Sequence, residues 1–215
     1  MEIINTEKHL PGLSRIIQIT VPGIDQDTAR ELALSELENL YVLSIEKPEI
    51  LECIPETIIA AIKQTMIKGL SLDPGLKLIY VKTRYLNGKK KLEIQETVNG
   101  LIWLAQQCGA LRSFKKPVVT YDESGRVDVV TFERNNETLT FGKGFYERLR
   151  KYSEKQNKGK ANALYTSFNG WIDPEFAKTK AIRHGLKNIG INPLRRVSKP
   201  EILTTYDEVV EGEEE

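Results

Sequence analysis

Lys77-Leu-Ile-Tyr-Val-Lys-Thr-Arg-Tyr-Leu86, followed by Asn87-Gly88 and a return from Lys89 to Thr97, is the stretch that decides the fold. Its residues alternate apolar with polar, the period of a strand with one buried face. Asn-Gly is the dipeptide that adopts positive φ at both centres of a type I′ turn, whose twist suits a two-residue hairpin. Antiparallel pairing is therefore expected here, and the rest of the chain reads outward from it.

Before the hairpin, helical spacing predicts a first helix from about Asp27 to Leu40, with Leu32, Leu34, Leu37 and Leu40 among its apolar positions. Pro55 opens a second helix and Gly69 closes it, with Ile58, Ile59, Ile62 and Met66 turned inward. After the hairpin come a short helix, about Asn99 to Cys108, and a three-strand meander from Arg112 to Phe141. The meander turns at Asp122–Gly125 and at Asn135-Asn136. A helix from about Gly144 to Lys155 follows. The sum is an α+β fold: an antiparallel hairpin and a three-strand meander packed with about five helices. Residues 1–24 read as an N-terminal segment and a candidate oligomer contact, 25–205 as the working domain, and 206–215 as a disordered acidic tail.

The last helix carries the charge. Asp173 can cap it and Pro174 suits its first position, and Gly190 with Pro193 ends it. From Lys178 to Lys199 there are seven basic residues, including Arg195, Arg196 and Lys199, and no acidic one. At about 100° per residue, Lys180, Arg183 and Lys187 share one side, opposite Ala177, Ala181, Ile182, Gly185, Leu186 and Ile189. A core-packed helix with a cationic rail suits a phosphate backbone. The competing reading is a solvated face whose cations complement the helix dipole. Lys178 stands apart, on the apolar side, where it must reach solvent or find a partner.

Composition narrows the function. The chain is 40% hydrophobic and 28% charged, ordinary for a folded domain, and has no apolar run long enough to span a membrane. No signal peptide is evident, so a cytoplasmic protein is expected. Cys53 and Cys108 are isolated and read as small core residues. The net charge of +1 conceals an asymmetry: residues 207–215 hold six of the 30 acidic residues and no basic one, so the remainder is basic. No phosphate-cradling G-x-x-x-x-G-K-[ST] loop occurs, and with only His9 and His184 a Ser-His-Asp triad is improbable. An enzyme reading remains in Asp73 with Glu93 and Gln95, similar to acidic sets that hold Mg²⁺ in some nucleases. Asp73-Pro74 is also an ordinary turn.

Three segments in order resemble the RecT/Redβ family of phage-type single-strand DNA annealing proteins, the RecT branch in particular. Ala61-Ile-Lys-Gln-Thr-Met-Ile-Lys-Gly-Leu-Ser-Leu-Asp-Pro-Gly75 is similar to the family's helix ending in a Gly-Leu-x-Pro turn. Gln95-Glu-Thr-Val-Asn-Gly-Leu-Ile-Trp-Leu-Ala-Gln-Gln-Cys-Gly109 is similar to its strand–Gly–helix segment, and Trp171 with Phe176-Ala-Lys-Thr-Lys-Ala-Ile-Arg-His184 to its signature helix. The resemblance implies no catalytic residues and no cofactor. It implies binding of single-stranded DNA and of an annealed duplex intermediate, ATP-independent pairing, and a homo-oligomeric ring or helical filament. It also implies a phage or prophage origin, placing the protein in a bacterial host cytoplasm. Host single-strand-binding protein and a companion exonuclease are candidate partners, and a membrane is not.

The DNA-binding residues it implies are Lys178, Lys180, Arg183 and Lys187, then Lys82, Arg84 and Asn99, then Arg148 and Lys151. The chain departs from the family at Val98-Asn99-Gly100, at Gln106-Gln107 and at Lys178-Thr179-Lys180, which shifts the expected contacts toward the last helix. A single-strand coating module without annealing is the other alternative. It would stack bases on exposed aromatics among Tyr80, Tyr85, Trp103, Phe145, Tyr146, Tyr152, Tyr165, Phe168 and Trp171.

Overall fold

The computed structural model describes residues 6–187 and 189–191. Arg195, Arg196, Lys199 and the acidic tail lie outside the described residues. Element order is α1 (Thr6–Thr20), α2 (Gln26–Glu46), a 3-10 turn (Pro48–Ile50), α3 (Pro55–Lys68), β1 (Ile79–Leu86), β2 (Lys89–Glu96), α4 (Val98–Gln107), β3 (Val118–Tyr121), β4 (Val127–Arg134), β5 (Glu137–Gly142), α5 (Lys143–Gln156), a 3-10 turn (Ala163–Tyr165) and α6 (Pro174–Lys187). Both sheets are antiparallel, β1-β2 and β3-β4-β5. Over the described residues the fold is α+β with the expected hairpin and meander and with six helices, α1 being added to the five expected. The described residues divide into two compact units, one ending at Cys108 and the other running from Gly109 to Ile191.

In the first unit, α1, α2 and α3 pack with the hairpin around Leu13, Leu37, Leu40, Ile50, Ile58, Ile62, Met66, Val81 and Leu92. Asn87 and Gly88 both have positive φ, 53° and 73°, the conformation that a type I′ turn needs. The four inward positions expected on α3 are all buried, and Gly69 ends that helix in the left-handed region. Glu36 of α2 braces the segment after α3: its carboxylate accepts from Ser71 Oγ at 2.5 Å and from the Leu72 amide at 2.7 Å. Burial pushes this carboxyl above its ordinary value, against the hydrogen bonds that favour its charged form. Thr97 caps α4 by accepting from Gly100 N, an interaction worth about 1 kcal/mol.

Two expectations need correction. The N-terminal segment 1–24 carried no expected helix, yet α1 runs through it, Pro11 included. Leu10, Leu13 and Ile17 are buried in the core, and that packing outweighs the hydrogen bond a mid-helix proline forgoes. The first expected helix begins one residue earlier, at Gln26, where Asp25 caps it, and runs on to Glu46. Leu32 lies exposed and Leu34 half-buried, whereas Leu37 and Leu40 are buried. Apolar side chains stand on several sides of α2, so its period was blurred.

In the second unit the meander packs with α5 and α6 around Val127, Val130, Tyr146, Tyr165, Ile172, Ala177 and Ala181. Asn135 and Asn136 both adopt positive φ at the β4–β5 turn. At the β3–β4 turn Asp122 accepts from Ser124 N and Arg126 N and pairs with Lys143 at 2.6 Å. Hydrogen bonds from Lys143, Ser124 and the Arg126 amide hold its carboxyl well below the usual carboxylate range. Cys53 and Cys108 are buried and unbridged. Among the described residues no helix is long and apolar enough to cross a membrane.

Candidate nucleic-acid interface

Helix α6 starts as its sequence dictates, with Asp173 Oδ1 accepting from Phe176 N at 2.8 Å and Pro174 at the first position. Its inner face is small: Ala177, Ala181 and Gly185 are buried. A Cβ on Gly185 would stand 2.6 Å from Phe132 Cδ1, so glycine lets the helix lie close on β4. Two hydrogen bonds fix the surroundings. Tyr146 Oη donates to Ala177 O at 3.2 Å, tying α5 to α6, and Trp171 Nε1 donates to Val127 O at 2.9 Å.

That close seating sets the state of each cation. Lys178, with 22% of its side chain exposed, reaches outward to Glu175 at 2.6 Å, which answers the question posed by its apolar position. Lys180 is half-buried, with its Nζ 4.6 Å from the centroid of the Phe176 ring. Burial, and then the charge of Arg183, push its ammonium below the ordinary lysine value. His184 is half-buried and meets Phe145 of α5 edge-on at 4.9 Å between centroids. Burial lowers its imidazole, and Lys187 and Lys180 lower it further. Among the described residues no carboxylate pairs with Lys180 or Lys187. On the outer flank of α6, half-buried Lys180 and His184 thus stand beside Arg183 and the exposed Lys187, and an arriving anion would favour their charged forms.

The remaining candidates behave differently. Arg148 and Lys151 are exposed on α5, away from Phe145, Tyr146 and Leu149, which pack inward. In the first unit Lys82 and Arg84 are exposed on β1, and both face Glu93, at 3.5 Å and 3.9 Å. Asn99 is exposed in the first turn of α4. The next residue explains the strand–Gly–helix pattern: a Cβ on Gly100 would collide with the Leu78 carbonyl oxygen. Asp73 Oδ1 accepts from Gly75 N at 2.8 Å in a local turn, and Glu93 is occupied by its two cations. Among the described residues no group of three or more His, Cys, Asp or Glu could hold a metal ion.

Of the aromatics weighed for stacking, Tyr146 and Tyr165 are buried, Phe145, Phe168 and Trp171 half-buried, and Tyr80, Tyr85, Trp103 and Tyr152 exposed. Sequence reasoning passed over Tyr80 as a partner of Lys82 and Arg84, although strand alternation places the three on one face. It also passed over Lys47, whose Nζ lies 4.4 Å from the Tyr80 ring centroid, because that residue follows the unforeseen extension of α2.

No curated protein matches the chain in a sequence search. A family model described as the RecT family matches residues 31–173, from within α2 to the residue before α6. The functional assignment of α6 therefore rests on the helix's own geometry and on its motif. That match spans more than half of the sequence, takes in the Gly-Leu-x-Pro turn and the strand–Gly–helix segment in order, and makes the chain a member of the RecT family.

Proposed function

We propose that this chain pairs complementary single strands of DNA without ATP or any other cofactor, as a homo-oligomeric ring or filament, with α6 supplying its principal phosphate contacts. Membership of the RecT family assigns it to single-strand annealing in DNA recombination. The observation that carries the finer reading is the flank of α6, where half-buried Lys180 and His184 lie among Arg183 and Lys187. Annealing has two requirements. Backbone charge must be neutralised so that two polyanions can approach, and base edges must stay free. Cations fixed by a seated helix meet the first without touching a base. Lys82, Arg84, Asn99, Arg148 and Lys151 supply secondary contacts. Residues 25–205 form the annealing domain and 1–24 contribute to subunit contacts. Host single-strand-binding protein and a companion exonuclease are the expected partners in a bacterial cytoplasm.

The test is the pairing rate of two labelled complementary oligonucleotides in EDTA, without nucleotide, over a range of salt. Wild type is expected to accelerate pairing, with an effect that fades as salt rises. Lys180→Ala/Arg183→Ala should weaken strand binding by roughly 10- to 100-fold and flatten the salt slope by about 0.7 per lost contact. Lys178→Ala should do less, because its charge is already engaged by Glu175. Binding without faster pairing would reduce the protein to a coating module, and Mg²⁺-dependent loss of full-length strands would make it a nuclease.

A further inference from the structure

We propose that the solvent face of the β1–β2 hairpin is a base-stacking site whose platform is Tyr80. The inference rests on the reading of the protein as a single-strand DNA binder, and it adds a site that reads bases' faces rather than phosphates. Strand alternation projects Tyr80, Lys82 and Arg84 to one side, opposite Gln95, Glu93 and Lys91, while Val81 and Leu92 are buried on the other. Tyr80 is 53% exposed, although it is a large ring on a fully paired hairpin. Lys47 sits 4.4 Å from its centroid and donates to Val81 O at 3.1 Å, so a backbone carbonyl holds the cation against the ring. The phenol is thereby steadied, with a positive charge over one face, so that a base would stack on the other.

Spacing and charge fit an extended strand. Residues two apart on a β-strand are about 6.8 Å apart, close to two of the ~3.4 Å steps of a stacked nucleic-acid strand. A base on Tyr80 would therefore bring its neighbours' phosphates toward Lys82 and Arg84. The pairs to Glu93, at 3.5 Å and 3.9 Å, are long and exposed, so phosphates can displace them at little cost. Every base offers a π-face, so stacking tolerates any sequence and leaves the pairing edges open, as strand annealing requires.

The experiment compares binding of an oligothymidylate with that of an abasic strand of equal length, for wild type, Tyr80→Leu, Tyr80→Trp and Lys180→Ala/Arg183→Ala. Tyr80→Leu should weaken oligothymidylate binding by about tenfold and leave the abasic strand within about twofold, since stacking is worth ~1–3 kcal/mol per base. Tyr80→Trp should bind like wild type and show emission quenched by oligothymidylate beyond the wild-type change. Equal losses on both strands, or none on either, would overturn the stacking site. If Lys180→Ala/Arg183→Ala weakens binding while Tyr80→Leu does not, the hairpin proposal alone fails. If wild type binds neither strand, the underlying reading fails with it.

Discussion

Two basic surfaces, one on β1 with Lys82 and Arg84 and one on α6 with Lys178, Lys180, Arg183 and Lys187, differ in what surrounds their cations. On the hairpin, Lys82 and Arg84 are exposed and share Glu93, so hydration and a carboxylate already satisfy much of their charge. On α6, Lys180 and His184 are half-buried beside other cations and two aromatic rings, and their charged forms are disfavoured. A cation that is solvated and paired gains little from a phosphate, whereas one that is dehydrated among like charges gains more. Local environment, as well as charge count, ranks the two surfaces.

The largest expected effect concerns the frame of the hairpin surface. Gly100→Ala would drive a methyl into the backbone carbonyl of Leu78, which cannot swing aside as a side chain can. We expect a loss of about 3 kcal/mol, at the upper end of overpacking costs. The check is chemical denaturation of a Trp171→Phe background, in which Trp103, whose Nε1 donates to Gly69 O in the first unit, reports alone. An unchanged midpoint would mean that the strand–helix junction relaxes freely.

Next comes the pH response of α6. With its value lowered from 6.5 by burial, Lys187 and Lys180, His184 binds fewer protons folded than unfolded. Its stability contribution is therefore present above about 6.5 and is lost as pH falls below it. A phosphate on this flank would reverse the bias and draw a proton in. DNA affinity should then rise as pH drops below 6.5, by at most about tenfold per pH unit for one linked proton. His184→Gln should abolish that rise. A flat affinity between pH 5.5 and 7.5 in wild type would place the DNA away from His184.

The smallest effect sharpens the contrast from the hairpin side. Glu93→Gln frees Lys82 and Arg84, and strand binding should tighten by about two- to fivefold, the scale of an exposed ion pair. A titration at fixed low salt reads it directly. Weaker binding in Glu93→Gln would show that Glu93 orients these cations rather than competing for them.

Much of the frame was legible before any coordinates. Asn87-Gly88 specified the hairpin because positive φ at two successive residues is cheap for little else. Pro55 and Gly69 bounded α3, and Asp173-Pro174 opened α6, because caps act over three or four residues. Helix α1 and the last six residues of α2 were not legible. Pro11 opposes helix locally, and Val42, Tyr41 and Ile45 spread apolar surface outside the buried stripe of α2. Of the candidate site, the residues of α6 and β1 could be named from charge and period, but their ranking could not. Tyr80 was visible in the alternation of β1, and only Lys47, 33 residues earlier, marks it as a steadied ring.

By itself, the sequence determined the antiparallel pairing, the caps, the buried face of α3 and the cationic side of α6, together with the motifs that resemble the RecT family. These are short-range matters of backbone preference and period, complete within a few turns of chain. The tertiary structure decided that Lys178 is paired while Lys180 and His184 are crowded and dehydrated, that Gly100 and Gly185 are points of close approach, and that Glu36 braces the turn after α3. Desolvation and packing depend on which distant residues arrive beside a side chain, and that is settled only when the chain has folded.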